Sequence, residues 1–191
     1  MGKKILYFLF FMFLSSLGYA NQKTMSIEKN RLVWDYVGSL PAQKDFDKNI
    51  GTAGLLQGVI GNYVIVGGGA NFPEVLEKGG KKVTHKDLYL LKDVNGKLET
   101  IDQIPLDYPI GYGASVSVKE ENAIYYLGGS PDAEHMRDVL KVTVKNGKLK
   151  TEIYAKLPLG FENGVAQYKD GKIYYGVGKI ENSEGKNVNS N

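Results

Sequence analysis

The sequence has no cysteine, only two histidines and one tryptophan, and 6 prolines in 191 residues. Without cysteine there can be no disulfide, no thiol nucleophile and no thiolate zinc site, so a packed core or ring closure has to hold the fold together. His85 and His135 lie far apart in the sequence, and neither has an acidic residue at the spacing that metal sites use. We therefore expect no bound metal.

The sequence also lacks an excess of charge of either sign. Its 24 lysines and arginines nearly balance 21 aspartates and glutamates, and the basic residues are scattered along the chain. A nucleic-acid-binding protein has a clustered basic footprint instead. We expect no nucleic-acid partner.

Long apolar runs are missing after the first twenty residues, and residues 1–20 have the three-part layout of a secretory signal. The parts are Lys3 and Lys4, the apolar run 5–14, and small residues at Gly18 and Ala20. An uncleaved membrane anchor is the alternative, but the run is shorter than the roughly 20 residues that a spanning helix needs. The sequence predicts export, cleavage after residue 20, a short linker over 21–31, and no membrane association of the mature chain.

Glycine and tyrosine are abundant, with 24 and 13 residues. Glycines end each copy of a sequence repeat that occurs three times. The copies span 54–69, 113–129 and 164–178, and each consists of a small-residue strand, a turn and an apolar strand ending in glycine. Two-residue hairpin turns with positive φ are predicted at Asn95-Gly96, Asn146-Gly147 and Asp170-Gly171. This pattern indicates many short antiparallel strands.

Two more strands follow each of the first two copies, so the repeating unit has four strands and a period of about fifty residues. That period is typical of kelch-type β-propeller blades. The predicted fold is all-β, a partial propeller over 32–191, with blades near 54–105 and 112–158 and an incomplete blade at 164–191. A β-sandwich is the rival architecture, but it does not predict the same glycine-ended strand three times.

The two ends of the mature sequence bear on ring closure. Residues 32–41 resemble the phrases at the ends of the first two blades, which predicts the closing strand of a final blade. A propeller needs about 4–8 blades to close. We therefore expect either a truncated chain or a remainder of the propeller on another polypeptide.

The stretches 67–73 (GGGANFP), 79–85 (GGKKVTH) and 86–91 resemble the cyclically permuted mutarotase family, kelch propellers similar to bacterial N-acetylneuraminate epimerases. The resemblance implies a six-bladed propeller in the periplasm that interconverts α- and β-N-acetylneuraminate by general acid–base ring opening. It implies a sialic acid substrate and no cofactor. The family's catalytic Glu and its neighbouring Arg would fall beyond Asn191, so the catalytic residues of this chain are unknown.

Loop positions near the expected pocket supply the substrate-binding candidates, since loops on a rigid scaffold often carry function. They are Asn71, Phe72, His85, Tyr112, Glu162 and Asn163. An amide can bind sugar hydroxyls, an aromatic ring can stack on the sugar, and a histidine can act as an acid or base. Lys81 and Lys82 could attract the anionic sugar. Three of the candidates also have a structural interpretation: Phe72 packs between blades, Asn71 caps a turn, and His85 is a solvated loop residue.

Two functions other than epimerisation stay open. One is a kelch-type module that binds a glycan or a protein without catalysis. The other is an inactive remnant, because ring closure supplies much of a propeller's stability.

Overall fold

The structure is a computed structural model, and it describes residues 24–28, 31–43, 46–131, 135–181 and 187–189. The predicted secretory signal at 1–20 lies outside the described residues. Among the described residues, no helix is long and apolar enough to span a membrane. The chain divides into two units, residues 1–37 and 38–191.

The first unit contains an antiparallel hairpin of β1 (Thr24–Glu28) and β2 (Arg31–Asp35), in the register Thr24↔Asp35. Strand β1 falls in the segment assigned to a linker, so that segment is partly structured. Strand β2 covers only the first part of the predicted closing strand, because 36–41 form no strand. Its role in closing a ring stays a prediction.

The second unit contains two four-stranded antiparallel sheets with the same strand order. The first consists of β3 (Leu56–Ile60), β4 (Tyr63–Gly67), β7 (Asp87–Val94) and β8 (Lys97–Pro105). The second consists of β9 (Ala114–Val118), β10 (Ala123–Leu127), β11 (Asp138–Lys145) and β12 (Lys148–Lys156). Within each sheet the strands pair in chain order, which is the meander of a propeller blade.

A third copy of the unit begins with β14 (Val165–Lys169) and β15 (Lys172–Gly176), which pair as a two-stranded sheet. Short strands form two further sheets: β5 (Ala70–Asn71) pairs with β6 (Val83–Thr84), and β16 (Lys179–Glu181) lies between β13 (Phe161–Glu162) and β17 (Asn187–Asn189). Short 3-10 helices lie at Leu76–Lys78 and Lys119–Glu121.

The predicted two-residue turns are confirmed by the backbone. Both residues of each turn have positive φ: 55° and 80° at Asn95-Gly96, 54° and 70° at Asn146-Gly147, and 51° and 76° at Asp170-Gly171. This is the type I′ pattern, whose twist matches that of the flanking strands. The hairpin registers follow from these turns.

The sheets pack face to face through two apolar clusters. Leu56 and Ile65 of the first sheet bury against Ile124 and Tyr126 of the second, and Gly58 provides the room. A Cβ on Gly58 would lie 2.6 Å from the Cδ1 atom of Ile124. The second cluster joins the middle sheet to the third copy through Tyr125, Leu127, Phe161 and Ala166, among others. Successive sheets layered in this way confirm the predicted all-β propeller fold.

Candidate functional site

Three equivalent residues, one from each copy, meet where the first strand of each sheet begins. Gly54, Tyr112 and Asn163 all have left-handed backbones, with φ of 65°, 62° and 55°. The N–H of Tyr112 donates to the carbonyl oxygen of Gly54 (2.7 Å), and the N–H of Asn163 donates to that of Tyr112 (2.7 Å). This backbone chain crosses from sheet to sheet and brings the candidates Tyr112 and Asn163 together.

Tyr112 presents its ring between a glycine and a lysine. A Cβ on Gly54 would lie 2.5 Å from the Cδ1 atom of Tyr112, so only glycine leaves space for the ring. The Nζ atom of Lys82 lies 5.4 Å from the ring centroid, which is cation–π range. Lys82, considered as an attractor for an anionic sugar, is therefore held beside a predicted binding residue.

The candidates Asn71 and His85 form a direct side-chain pair. Asn71 ends β5 and His85 follows β6, and these two strands pair with each other. The Nε2 atom of His85 lies 2.9 Å from Oδ1 of Asn71, and the Nδ2 group of Asn71 donates to the carbonyl oxygen of Gly51 (2.6 Å). Burial lowers the pKa of His85, and the charge of Asp87 partly offsets this by raising it.

The Asn71–His85 pair belongs to the same region as Tyr112. Ala70 exchanges backbone hydrogen bonds with Ala53, the residue before Gly54. The N–H of His85 donates to the carbonyl oxygen of Gly69 (2.8 Å), and the N–H of Gly69 donates to that of Ile110 (2.7 Å), close to Tyr112. A continuous network therefore joins four of the six candidates, Asn71, His85, Tyr112 and Asn163.

Glu162 is buried and lies beside two basic side chains. Its Oε1 atom is 3.3 Å from Nε2 of His135 and 3.6 Å from Nζ of Lys179. The side chain of His135 is only 4% exposed, and its Nδ1 atom has no hydrogen-bond partner among the described residues. Glu162 precedes Asn163 in the chain, so this cluster borders the backbone chain of the three copies.

Phe72 follows Asn71 and is 48% exposed. The ring is therefore not packed between the sheets that the structure describes. The exposed ring face can stack on a ligand.

Sequence reasoning missed His135 and Lys179. The sequence alone suggests His135 only as a potential metal ligand. Its partner Glu162 lies far away in the sequence, so no local pattern indicates the pair. Repeat register could have indicated Lys179, because it occupies the position shortly after the second strand that Ala70 and Ser130 occupy in the first two copies. Two copies have a small residue there and the third has a lysine.

The region combines hydrogen-bonding groups with positive charge. The amide of Asn71, the imidazole of His85 and the phenol of Tyr112 can bind hydroxyl groups. Lys82 can attract a carboxylate, whereas Lys179 already faces the carboxylate of Glu162. In the part of the chain that the structure describes, no three His, Asp or Glu side chains come together as a metal site. The arrangement suits a small, hydroxyl-rich anion.

Comparison with known proteins gives a consistent set of relatives. The chain is 33% identical to the N-acetylneuraminate epimerase of Pasteurella multocida (strain Pm70), over 66% of this chain and 35% of the relative. It is 34% identical to the N-acetylneuraminate epimerase of Haemophilus influenzae (strain 86-028NP), over 62% of this chain and 32% of the relative. It is 29% identical to the N-acetylneuraminate epimerase of Salmonella enteritidis PT4 (strain P125109), over 64% of this chain and 33% of the relative. The chain thus spans about a third of the length of these relatives.

A solved structure described as "Structure of YjhT" superimposes with a TM-score of 0.53 and 24% identity, covering 67% of this chain and 36% of that one. This likeness supports the fold. No family model matches the sequence.

Proposed function

Since the chain is a relative of the N-acetylneuraminate epimerases, we propose that it forms part of a propeller that interconverts the α and β anomers of N-acetylneuraminate. The observation that carries the proposal is the network of Asn71, His85, Tyr112 and Asn163, in a chain related to these enzymes. The substrate is a hydroxylated sugar with one carboxylate, and the described cluster offers hydroxyl-binding groups beside the positive charge of Lys82.

The reaction is an isomerisation that needs only proton transfers. A base takes the proton of the anomeric hydroxyl, the bond from the anomeric carbon to the ring oxygen breaks, and an acid protonates that oxygen. The open keto form then closes on its other face, which returns both protons. We propose that the sheets described here bind the sugar and that the family's catalytic Glu and its neighbouring Arg come from further blades.

A chimaera separates this activity from mere binding. This segment would replace the matched third of the Pasteurella multocida epimerase, and the α anomer would be released in situ by a sialidase. Proton NMR of the ring methylene then follows conversion to the β anomer. We expect the chimaera to convert it well above the spontaneous rate, and the segment alone to bind the sugar without accelerating conversion.

The matched control is the same chimaera with Tyr112→Ala, which should bind N-acetylneuraminate more weakly. A chimaera that binds the sugar with conversion at the spontaneous rate would contradict the proposal and favour a non-catalytic binding module. A chimaera that folds and binds no sialic acid would contradict both functions.

We also propose export to the periplasm, which the layout of residues 1–20 supports. Intact-mass analysis of protein from the periplasmic fraction should give a chain that begins at Asn21. A cytoplasmic chain that retains Met1 would contradict this.

A further inference from the structure

The hydrogen bonds around Asn71 determine which nitrogen of His85 carries its proton. The carbonyl oxygen of Gly51 can only accept, so the group of Asn71 that faces it at 2.6 Å must be the amide nitrogen. The carbonyl oxygen of Asn71 therefore faces His85, at 2.9 Å from Nε2. Since this oxygen can also only accept, Nε2 must carry a hydrogen.

The other ring nitrogen then follows from elementary chemistry. A neutral imidazole has one donor nitrogen and one acceptor nitrogen. With Nε2 as the donor, Nδ1 holds a free lone pair. Among the described residues, the ring of His85 makes no hydrogen bond other than that to Asn71.

The backbone keeps His85 at a fixed place in the site. Its N–H donates to the carbonyl oxygen of Gly69, and its own carbonyl oxygen accepts from the N–H of Ile110 (3.1 Å). These bonds join it to the segment after β4 and to the segment before β9. The hydroxyl group of Thr84, the residue before His85, donates to the carbonyl oxygen of Pro131 in the next copy (2.5 Å). The imidazole thus stands at the junction of two sheets.

We infer that Asn71 is a positioning residue that holds His85 as the neutral Nε2–H tautomer, so that Nδ1 accepts a hydrogen bond from a hydroxyl group of the bound sugar. The tautomer follows from the contacts within this chain, whereas the identity of the sugar rests on the proposed function. The lowered pKa agrees with a neutral ring at neutral pH, and Asp87 is the charged group that opposes the shift.

Long-range proton–nitrogen NMR on the labelled chain tests the tautomer directly. The sequence has only two histidines, so a His135→Gln variant assigns the His85 signals. At pH 7 we expect a protonated Nε2 and an unprotonated Nδ1. In Asn71→Ala the two tautomers should mix, whereas in Asn71→Asp the carboxylate should favour the charged ring. An Nδ1–H tautomer or an imidazolium in the unmodified chain would overturn the inference.

Titration with N-acetylneuraminate tests the acceptor role. His85→Ala should raise the Kd about five- to tenfold, which is the loss of one hydrogen bond. His85→Asn places a carbonyl oxygen two bonds from Cβ, where Nδ1 stands, and should restore part of the affinity. Equal Kd values for the unmodified chain, His85→Ala and His85→Asn would overturn the acceptor role.

Failure of the proposed function looks different. In that case the unmodified chain binds no N-acetylneuraminate, while the NMR spectra still show the Nε2–H tautomer that Asn71→Ala disturbs. That result would support the tautomer assignment and show that N-acetylneuraminate is not the ligand of His85.

Discussion

One position in each copy, directly after its second strand (β4, β10 or β15), has a left-handed backbone. Gly68 and Gly128 occupy it in the first two copies, with φ of 64° and 63°. The third copy has Val177 there, with φ of 58° and 74% exposure. A β-branched residue in this conformation is strained, because its Cβ crowds the following carbonyl oxygen.

Replacing this valine with glycine should stabilise the protein. The left-handed backbone costs a non-glycine residue about 1–2 kcal/mol, and the extra unfolded-state entropy of glycine offsets about 0.5–1 kcal/mol of that. We expect Val177→Gly to raise the free energy of unfolding by about 0.5–1 kcal/mol, measured by urea denaturation.

The reverse change at the equivalent site is the matched control. Gly128→Val should destabilise strongly, because a Cβ there would lie 2.2 Å from the carbonyl oxygen of Phe161. A Val177→Gly variant that unfolds at lower urea would show that the backbone at Val177 is not strained.

The buried carboxylate of Glu162 should contribute stability as well as any binding role. Glu162→Gln keeps the shape but removes the charge that faces His135 and Lys179. Because Lys179 is half exposed, solvent screens its attraction to the Glu162 carboxylate. We expect a loss of about 1–2 kcal/mol in the free energy of unfolding. Glu152→Gln is the control, because Glu152 is exposed on β12. Equal losses of unfolding free energy in the two variants would refute a structural role for Glu162.

Between elements, one carboxylate ties the outer strands of the two four-stranded sheets. Asp102 of β8 accepts hydrogen bonds from Nζ of Lys148 (2.9 Å) and from the N–H of Leu149 (2.8 Å), both on β12. These bonds lower the pKa of Asp102, the Lys148 bond most and the Leu149 bond next. Its side chain is only 10% exposed.

The lowered pKa makes this tie dependent on pH. A carboxyl whose pKa falls on folding stabilises the protein above its unfolded pKa, and this stabilisation is lost as pH falls through the folded pKa. Asp102→Asn should therefore cost about 1 kcal/mol at pH 7 and progressively less below about pH 4. Denaturation at several pH values measures this.

Glu99→Gln provides the control on the same strand, because Glu99 is exposed. It should leave stability nearly unchanged at every pH. A cost of Asp102→Asn that stays constant down to pH 2 would contradict the proposed tie.

The strands and turns could be predicted from sequence, because the cues are local. Asn95-Gly96 needs positive φ at two adjacent residues, and the alternating runs on each side determine the register. The pairing of His135 with Glu162 had no such cue, because it depends on how the second and third copies pack. The hairpin of β1 and β2 was also missed, since no strong turn dipeptide marks it.

On the scale of the whole molecule, burial depends on how many sheets cover a strand. The motif Ile-Tyr-Tyr occurs in β10 and again in β15. In β10, which lies between two neighbouring sheets, Tyr125 and Tyr126 are 2% and 1% exposed. In β15 the equivalent Tyr174 and Tyr175 are 57% and 39% exposed. The same residues are core in one sheet and surface in the other.

This difference predicts unequal local stability. Amides of β10 should exchange with solvent only on global unfolding, whereas those of β15 should exchange through local opening, because β15 has few buried contacts. Hydrogen–deuterium exchange followed by mass spectrometry compares the two strands in one experiment. Equal protection of 123–127 and 172–176 would contradict the layered arrangement.

We propose that the junction of the three copies is a sialic acid site. Amide chemical shifts of the labelled chain, recorded during titration with N-acetylneuraminate and with glucose as a neutral control, test it most directly. We predict saturable shifts at Asn71, His85, Tyr112 and Asn163 with N-acetylneuraminate and none with glucose. Shifts confined to other residues, or the same shifts with both sugars, would contradict the claim.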